Sequence, residues 1–176
     1  MSNRPQSYQC LASAKARLLF KSGLNATGHR IWIWYLHALQ AEGLAQAGDL
    51  QGAWSLLDEV VVRIEAGEER SHYAETLRLK GWLLTLLGEQ AAAEAALRKS
   101  LDVARAQLAR SWELRTATTL ARLWASQGRK EQALSLLEPV FAWLTGGHAT
   151  KDLVTAVPPL QELGRPKRTH GTKRSV

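Results

Sequence analysis

Small and apolar residues recur every 40 positions along the chain, and Gly48, Gly88 and Gly128 mark the period. A small residue precedes each glycine by seven positions, an alanine follows it after five and a leucine after nine. These positions are Ala41, Gly81 and Ala121, then Ala53, Ala93 and Ala133, then Leu57, Leu97 and Leu137. A fixed period of this length is typical of proteins built from copies of one supersecondary unit. The pattern therefore predicts three units, each with a glycine near its middle.

The apolar residues on both sides of each glycine have helical spacing. Around Gly88, the stripe before the glycine contains Tyr73 and Leu77, and the stripe after it contains Ala93 and Leu97. A glycine between two such stripes favours a left-handed cap that ends the first helix. We therefore predict helix pairs at 29–47 and 50–66, at 70–87 and 90–107, and at 110–127 and 130–144.

Before the first unit the pattern is weaker. The run IWIWY at 31–35 alternates as a strand would, but its apolar residues continue with helical spacing, so we expect a helix there. Residues 8–22 are amphipathic, and we interpret them as the second helix of an incomplete repeat. Tyr8 and Arg17 depart from that interpretation, since they stand where the repeat has glycine and leucine.

Two further segments follow the third unit. A short helix is predicted at 150–163, where it would cover the apolar face of the last pair; Pro158 and Pro159 would kink or end it. The predicted organisation has three parts. Residues 1–7 are a disordered start, and residues 164–176 are a disordered basic tail. Residues 8–163 are a helical-repeat domain with a half repeat at 8–28, repeats at 29–68, 69–108 and 109–148, and a capping helix at 150–163.

The formal net charge of +7 is concentrated in the tail. Residues 164–176 contain five Lys or Arg and no acid, which leaves +2 for residues 1–163. A basic segment rich in Gly, Pro, Thr and Ser is typical of a solvated chain end, and non-specific binding of nucleic-acid phosphates is the alternative. We therefore expect no nucleic-acid binding by the repeats themselves.

Composition and chemical motifs favour a cytoplasmic protein without catalytic activity. Cys10 is the single cysteine, so a disulfide framework or a cysteine-rich zinc site is excluded. No apolar run approaches the roughly 18 residues of a membrane span. The five histidines are scattered, and the chain has no His-Glu-x-x-His or Gly-x-Ser-x-Gly motif. We expect no enzyme activity, no cofactor, no metal and no membrane partner.

The order of small, apolar, glycine, alanine and apolar residues is similar to the tetratricopeptide repeat. The second unit carries it as Gly81, Leu84, Gly88–Glu89, Ala93, Leu97 and Leu101. The period is 40 residues instead of the usual 34 or so, and the family's terminal proline is absent. The resemblance implies an all-α fold, a right-handed α-solenoid of about 3.5 antiparallel helix pairs, and a function in binding proteins or peptides.

Residues 30–163 also look like the C-terminal repeat region of large bacterial regulators of the ATPase, adenylate-cyclase or LuxR type. No phosphate-binding loop, cyclase signature or DNA-binding helix pair is present, so only the repeat arm of such a regulator is implied. A sensor or scaffold arm is the leading interpretation. A truncated remnant, with a structural or self-associating role through its N-terminal helix, is the alternative.

In the tetratricopeptide family, the first helices of successive units line a groove for the partner. The matching positions are Tyr35, Ala38, Glu42, Ala45, Gln46, Glu75, Arg78, Trp82, Thr85, Leu86, Arg115, Thr118, Arg122, Ala125 and Ser126. From these we select as groove residues Tyr35, Glu42, Arg78, Trp82, Thr85, Arg115 and Arg122. Helical spacing agrees, since Arg78, Trp82 and Thr85 are four and three residues apart.

Arginines beside an indole suit a partner with an acidic segment or a C-terminal carboxylate, because guanidinium groups bind carboxylates through two hydrogen bonds. The alternative is that Arg78 and Arg115 form ordinary surface salt bridges with Glu42, Glu75 or Glu113.

Overall fold

The computed structural model describes residues 33–67, 70–144 and 151–164. These ranges contain seven α-helices and no strand, which confirms the all-α prediction; the helices are α1 (Ile33–Gln46), α2 (Leu50–Glu65), α3 (Tyr73–Leu86), α4 (Gln90–Ala106), α5 (Arg110–Ser126), α6 (Lys130–Leu144) and α7 (Lys151–Gly164). None of these described helices is long and apolar enough to cross a membrane. The predicted start at 1–7, the half repeat at 8–28 and the tail after Gly164 lie outside the described residues.

Each helix packs against its neighbours in sequence order. The predicted pairs α1–α2, α3–α4 and α5–α6 are in contact, and α7 packs against both helices of the third pair. We refer to α1, α3, α5 and α7 as the first helices, and to α2, α4 and α6 as the second helices. Successive first helices also contact each other, so their side chains form one continuous face.

The three glycines of the period form the turns within the helix pairs. Gly48, Gly88 and Gly128 have φ angles of 89°, 84° and 80°, a left-handed conformation that glycine adopts without steric cost. The next N–H in each case donates to a carbonyl five residues earlier at 2.9 Å, namely Asp49 to Leu44, Glu89 to Leu84 and Arg129 to Trp124. These bonds satisfy carbonyls that the helix end leaves open, so the predicted glycine caps are confirmed.

The turn between α4 and α5 has the same geometry without a glycine. Leu108 has a φ of 55°, and the N–H of Ala109 donates to the carbonyl of Ala104 at 2.8 Å. The left-handed conformation costs a residue with a Cβ roughly 1–2 kcal/mol. The side chain of Leu108 is 75% exposed and offsets little of this cost by burial.

The alanines and leucines of the 40-residue pattern form the core. All six are 0–1% exposed: Ala53, Ala93, Ala133, Leu57, Leu97 and Leu137. Fully burying one leucine side chain contributes about 2 kcal/mol to folding. The same period that identifies the turns thus identifies the residues that hold each pair together.

Gly81 lies where the first and second helices of its pair come closest. A Cβ placed on Gly81 would lie 2.5 Å from Cγ of Leu97 and 3.2 Å from the carbonyl oxygen of Ala93. The equivalent residues Ala41 and Ala121 carry a Cβ and are fully buried. The second pair therefore packs too tightly at this position for alanine.

Helix α7 continues the repeat as the first helix of a fourth unit. Ala156 is fully buried and stands 40 residues after the fully buried Thr116, and Leu163 stands 40 residues after the buried Leu123. The helix continues through Pro158 and Pro159 to Gly164, so the prediction that it could end at the prolines is wrong.

A side chain of α5 reaches one of the carbonyls that the prolines affect. Proline has no N–H, so Pro159 leaves the carbonyl of Thr155 without its normal helical donor. The Nη2 atom of Arg122 donates to that carbonyl at 3.2 Å. A side chain from the neighbouring first helix thus replaces a hydrogen bond that the proline removes.

Two Gly→Ala substitutions test the packing at Gly81. Gly81→Ala places a methyl group against Leu97, and we expect a net loss of about 1 kcal/mol after the gain in helix propensity. Gly43→Ala is the control: Gly43 also lies inside a first helix, but its added Cβ would meet no atom within 4 Å. That variant should gain about 0.5–1 kcal/mol. Urea unfolding measures both, and an equal gain in the two variants would contradict the close approach.

Candidate functional site

All seven predicted groove residues lie on the first helices. Three of them, Glu42, Trp82 and Arg122, occupy equivalent positions 40 residues apart on α1, α3 and α5. We call the surface formed by the positions carried over from the tetratricopeptide groove the first-helix face. The face is only partly open, because Ala38, Ala45, Glu75 and Thr118 are buried between neighbouring helices.

The centre of the first-helix face is an ionic network around Glu75. The side chain of Glu75 is 1% exposed and accepts two hydrogen bonds from Arg78, from Nε and Nη2, both at 2.9 Å. Nη1 of Arg115 donates to the same carboxylate at 3.1 Å. Nε of Arg115 donates to Oδ1 of Asp152 at 2.7 Å, and Nη2 of Arg78 lies 3.9 Å from Glu42. The network therefore links all four first helices.

The network shows where the side chains of the two central groove arginines lie. The side chain of Arg78 is 13% exposed and that of Arg115 is 34% exposed. Both guanidinium groups are bound to carboxylates of the protein, Glu75 among them, but the carboxylate that they share is buried and not on the surface as the alternative interpretation expects. Glu113 is not one of their partners, and Asp152, which the sequence did not indicate, takes part instead.

Electrostatics favour the charged form of Arg115. Burial on its own would lower the pKa of Arg115, but the hydrogen bond to Asp152 and the charge of Glu75 outweigh it and raise that pKa above its usual value. A buried carboxylate is stable in its charged form only when hydrogen bonds and opposite charges surround it. Glu75 has both.

Tyr35 lies at one end of the face, in a row of aromatic rings. Its ring stacks on His72 with centroids 4.4 Å apart, and His72 lies 5.3 Å from the ring of Trp112. These rings come from the first turns of α1 and α5 and from the residue preceding α3. The row packs the ends of the first helices against each other.

The accessible part of the face lies toward the C-terminal ends of the first helices. Glu42, Trp82 and Thr85 are partly exposed, and the side chain of Arg122 is exposed. Leu86, the residue after Thr85, is 47% exposed. The Oγ1 atom of Thr85 donates to the carbonyl of Gly81 in the same helix. This surface offers an indole, an aliphatic side chain and one charge of each sign. In the parts of the chain that the structure describes, no group of three or more His, Cys, Asp or Glu could hold a metal ion.

A second charged cluster, around Glu94, was not expected from the sequence. Arg129 donates to the Glu94 carboxylate at 2.6 and 3.2 Å, and Arg98 does so at 2.8 Å. The hydrogen bond from Arg129 is the largest cause that lowers the pKa of Glu94 to about 2. The ring of Trp124 lies between the two guanidinium groups, at 4.8 and 5.3 Å. The four-residue spacing of Glu94 and Arg98 was a sequence signal for an ion pair within one helix. The contact with Arg129 had no such signal, because it depends on the fold.

Comparison of the chain with protein-family models, with curated proteins and with solved structures gives no match. The relationship to the tetratricopeptide repeat therefore stays a prediction that depends on the residues themselves.

Two Glu→Gln substitutions test whether Glu75 holds the first helices together. Glu75→Gln removes the charge that Arg78 and Arg115 share, and we expect a loss of about 2–3 kcal/mol. The control is Glu59→Gln, since Glu59 is 42% exposed and 4.0 Å from Arg63; its loss should stay below about 0.5 kcal/mol. Chemical unfolding measures both. Equal losses would show that the buried network contributes no more than a surface pair.

Proposed function

We propose that the chain is a non-enzymatic repeat module that binds a protein or peptide, with its helix pairs stacked as a right-handed α-solenoid. We further propose that it serves as a sensor or scaffold arm of a bacterial regulator. The observation that supports binding is the row formed by Glu42, Trp82 and Arg122, at equivalent positions on three first helices that contact in sequence.

The geometry of packed helices suits an extended segment across this row. Packed helices lie about 8–10 Å apart, and an extended chain advances about 3.3 Å per residue. A segment that crosses the first helices would therefore meet a new helix about every third residue. Its favoured side chains follow from the row: a basic group near Glu42, an apolar group on Trp82 and Leu86, and a carboxylate near Arg122.

The ionic network narrows the residues available for this role. Arg78 and Arg115 are bound to Glu75 and Asp152, so a partner would have to break buried hydrogen bonds to reach them. Arg122 is the exposed arginine of the predicted set, although it also donates to the carbonyl of Thr155. An acidic or C-terminal carboxylate of the partner would therefore bind at Arg122.

A pair of double variants tests the binding face. Leu86→Asp with Arg122→Ala changes an aliphatic and an arginine side chain on the first helices, and we expect at least about a tenfold loss of captured partner, the cost of losing about 1.4 kcal/mol. Val62→Asp with Arg63→Ala is the matched control on α2, which also changes one exposed aliphatic residue and one exposed arginine: Val62 is 58% exposed and the Arg63 side chain 53%. Quantitative pull-down from the source cell is the measurement, with circular dichroism to show that both variants fold. Capture of the same partners at the same level by both variants would refute the assignment.

Self-association is a second candidate function, supported by an open face of α1. Leu39 is 37% exposed, whereas Leu79, its equivalent in the second unit, is fully buried. Gly43 has open space around it, whereas its equivalent Leu83 is fully buried. In the second unit these positions pack near α2, the preceding second helix. A second copy of the chain could cover the corresponding face of α1.

Light scattering across a wide range of protein concentrations tests this candidate. We expect dimers that dissociate on dilution, and Leu39→Glu should yield a monomer because it places a charge in the contact. Val154→Glu is the control, since Val154 is 59% exposed on α7, far along the chain from α1. A wild-type monomer at every concentration would exclude self-association through α1.

A further inference from the structure

The row of side chains that we assign to partner binding has a fourth member, on α7. Glu162 stands 40 residues after Arg122, and α7 packs against α5 as α5 packs against α3. The residue after it, Leu163, is buried like its equivalent Leu123. A buried neighbour in the same register fixes the direction of the next side chain on a helix. Glu162 therefore points the same way as Arg122, and both residues are exposed.

The charged members of the row keep capacity for a further partner. Among the residues that the structure describes, Glu162 has no hydrogen bond or ion pair. Arg122 donates through Nη2 to the carbonyl of Thr155, and its Nε and Nη1 donate to no other described residue. The side chain of Glu42 is 30% exposed and lies 3.9 Å from the guanidinium group of Arg78. Each of the three can therefore accept an opposite charge from outside.

The positions beside the row add no competing charge on the first helices. One helical turn further along, the equivalent residues are exposed and uncharged: Gln46, Leu86 and Ser126. One turn earlier stand Ala38, Arg78, Thr118 and Pro158. Of these only Arg78 is charged, and its guanidinium group is bound by Glu75. From α1 to α7 the row thus presents an acid, an indole, a base and an acid.

This order fixes both the length and the charge pattern of a matching segment. Packed helices lie about 8–10 Å apart, and an extended chain advances about 3.3 Å per residue. Each step between first helices therefore takes about three residues, and the three steps from α1 to α7 take about nine. A matching segment has a cation, an apolar residue, a carboxylate and a second cation, each about three residues from the next.

Resting on the proposed function, we propose that the partner is an extended protein segment with this pattern and that Glu162 binds its second cation. Helix α7 then belongs to the binding face and does more than cover the third helix pair. A wholly acidic segment is disfavoured, because it places like charges at Glu42 and Glu162. A wholly basic segment is disfavoured in the same way by Arg122.

Two capped peptides that differ in direction serve as probes, acetyl-KSTLSTESTK-amide and its reverse, acetyl-KTSETSLTSK-amide. Fluorescence anisotropy of the labelled peptides measures binding, and we expect one direction to bind saturably and more weakly at high salt. In that peptide, the lysine three residues from the glutamate would pair with Glu162. Glu162→Gln should weaken binding about two- to fivefold, the value of a partly exposed ion pair. Glu138→Gln is the control, since Glu138 is an exposed acid on the second helix α6, and it should leave binding unchanged.

A double-mutant cycle assigns the contact to one pair of charges. Glutamine in place of that peptide lysine should weaken binding to the wild-type protein as much as Glu162→Gln does. The two changes together should cost no more than either one alone. Costs that add, equal effects of Glu162→Gln and Glu138→Gln, or no binding of either peptide would overturn the proposal.

Two further outcomes separate this proposal from its alternatives. Loss of peptide binding in the variant with Leu86→Asp and Arg122→Ala, without any effect of Glu162→Gln, would retain the proposed face and exclude α7 from it. Peptide binding that appears only after the Lys and Arg residues of 165–176 are changed to Gln would assign the row to the chain's own tail, and so would overturn an external partner. Failure of the proposed function itself is read separately, from the partner pull-down.

Discussion

The buried carboxylate of Glu75 is the constraint on which the arrangement of the first helices depends. A charge that is 1% exposed must be surrounded by donors, and the fold provides them from α3 itself and from α5. Arg115 then needs a second carboxylate, which Asp152 provides from α7. Removing one partner of a buried ionic group leaves the other uncompensated, at a cost of about 3–5 kcal/mol. The network therefore joins side chains of all four first helices through one buried carboxylate.

This constraint also shapes what the first-helix face can recognise. Arg78 and Arg115 are bound inside the protein, so the proposed recognition would use the helix ends, where Trp82, Leu86 and Arg122 are accessible. Arg122 has two roles that oppose each other, because its donation to Thr155 compensates for Pro159 while its exposed position suits a carboxylate. A partner at Arg122 would therefore also act on the docking of α7.

Much of the fold could be predicted from the sequence because it depends on local spacing. The glycine caps, the pairs and the core alanines and leucines all follow from residues within one unit. The ionic partners could not be assigned in the same way. Glu75 was visible as a candidate, but Asp152 contacts Arg115 only once α7 has docked, 37 residues along the chain. Likewise, the contact of Arg122 with the carbonyl of Thr155 is one that no pattern within α7 indicates.

Leu108 has a consequence for how the protein moves. The three glycine turns lie within helix pairs and are free of strain, whereas the turn at Leu108 joins the second pair to the third and holds a leucine in a left-handed conformation. Strain stored in the folded state is released when a segment opens, so it lowers the free energy of local opening at that joint. The turn at Leu108 therefore opens at a lower cost in free energy than it would with glycine in the same place.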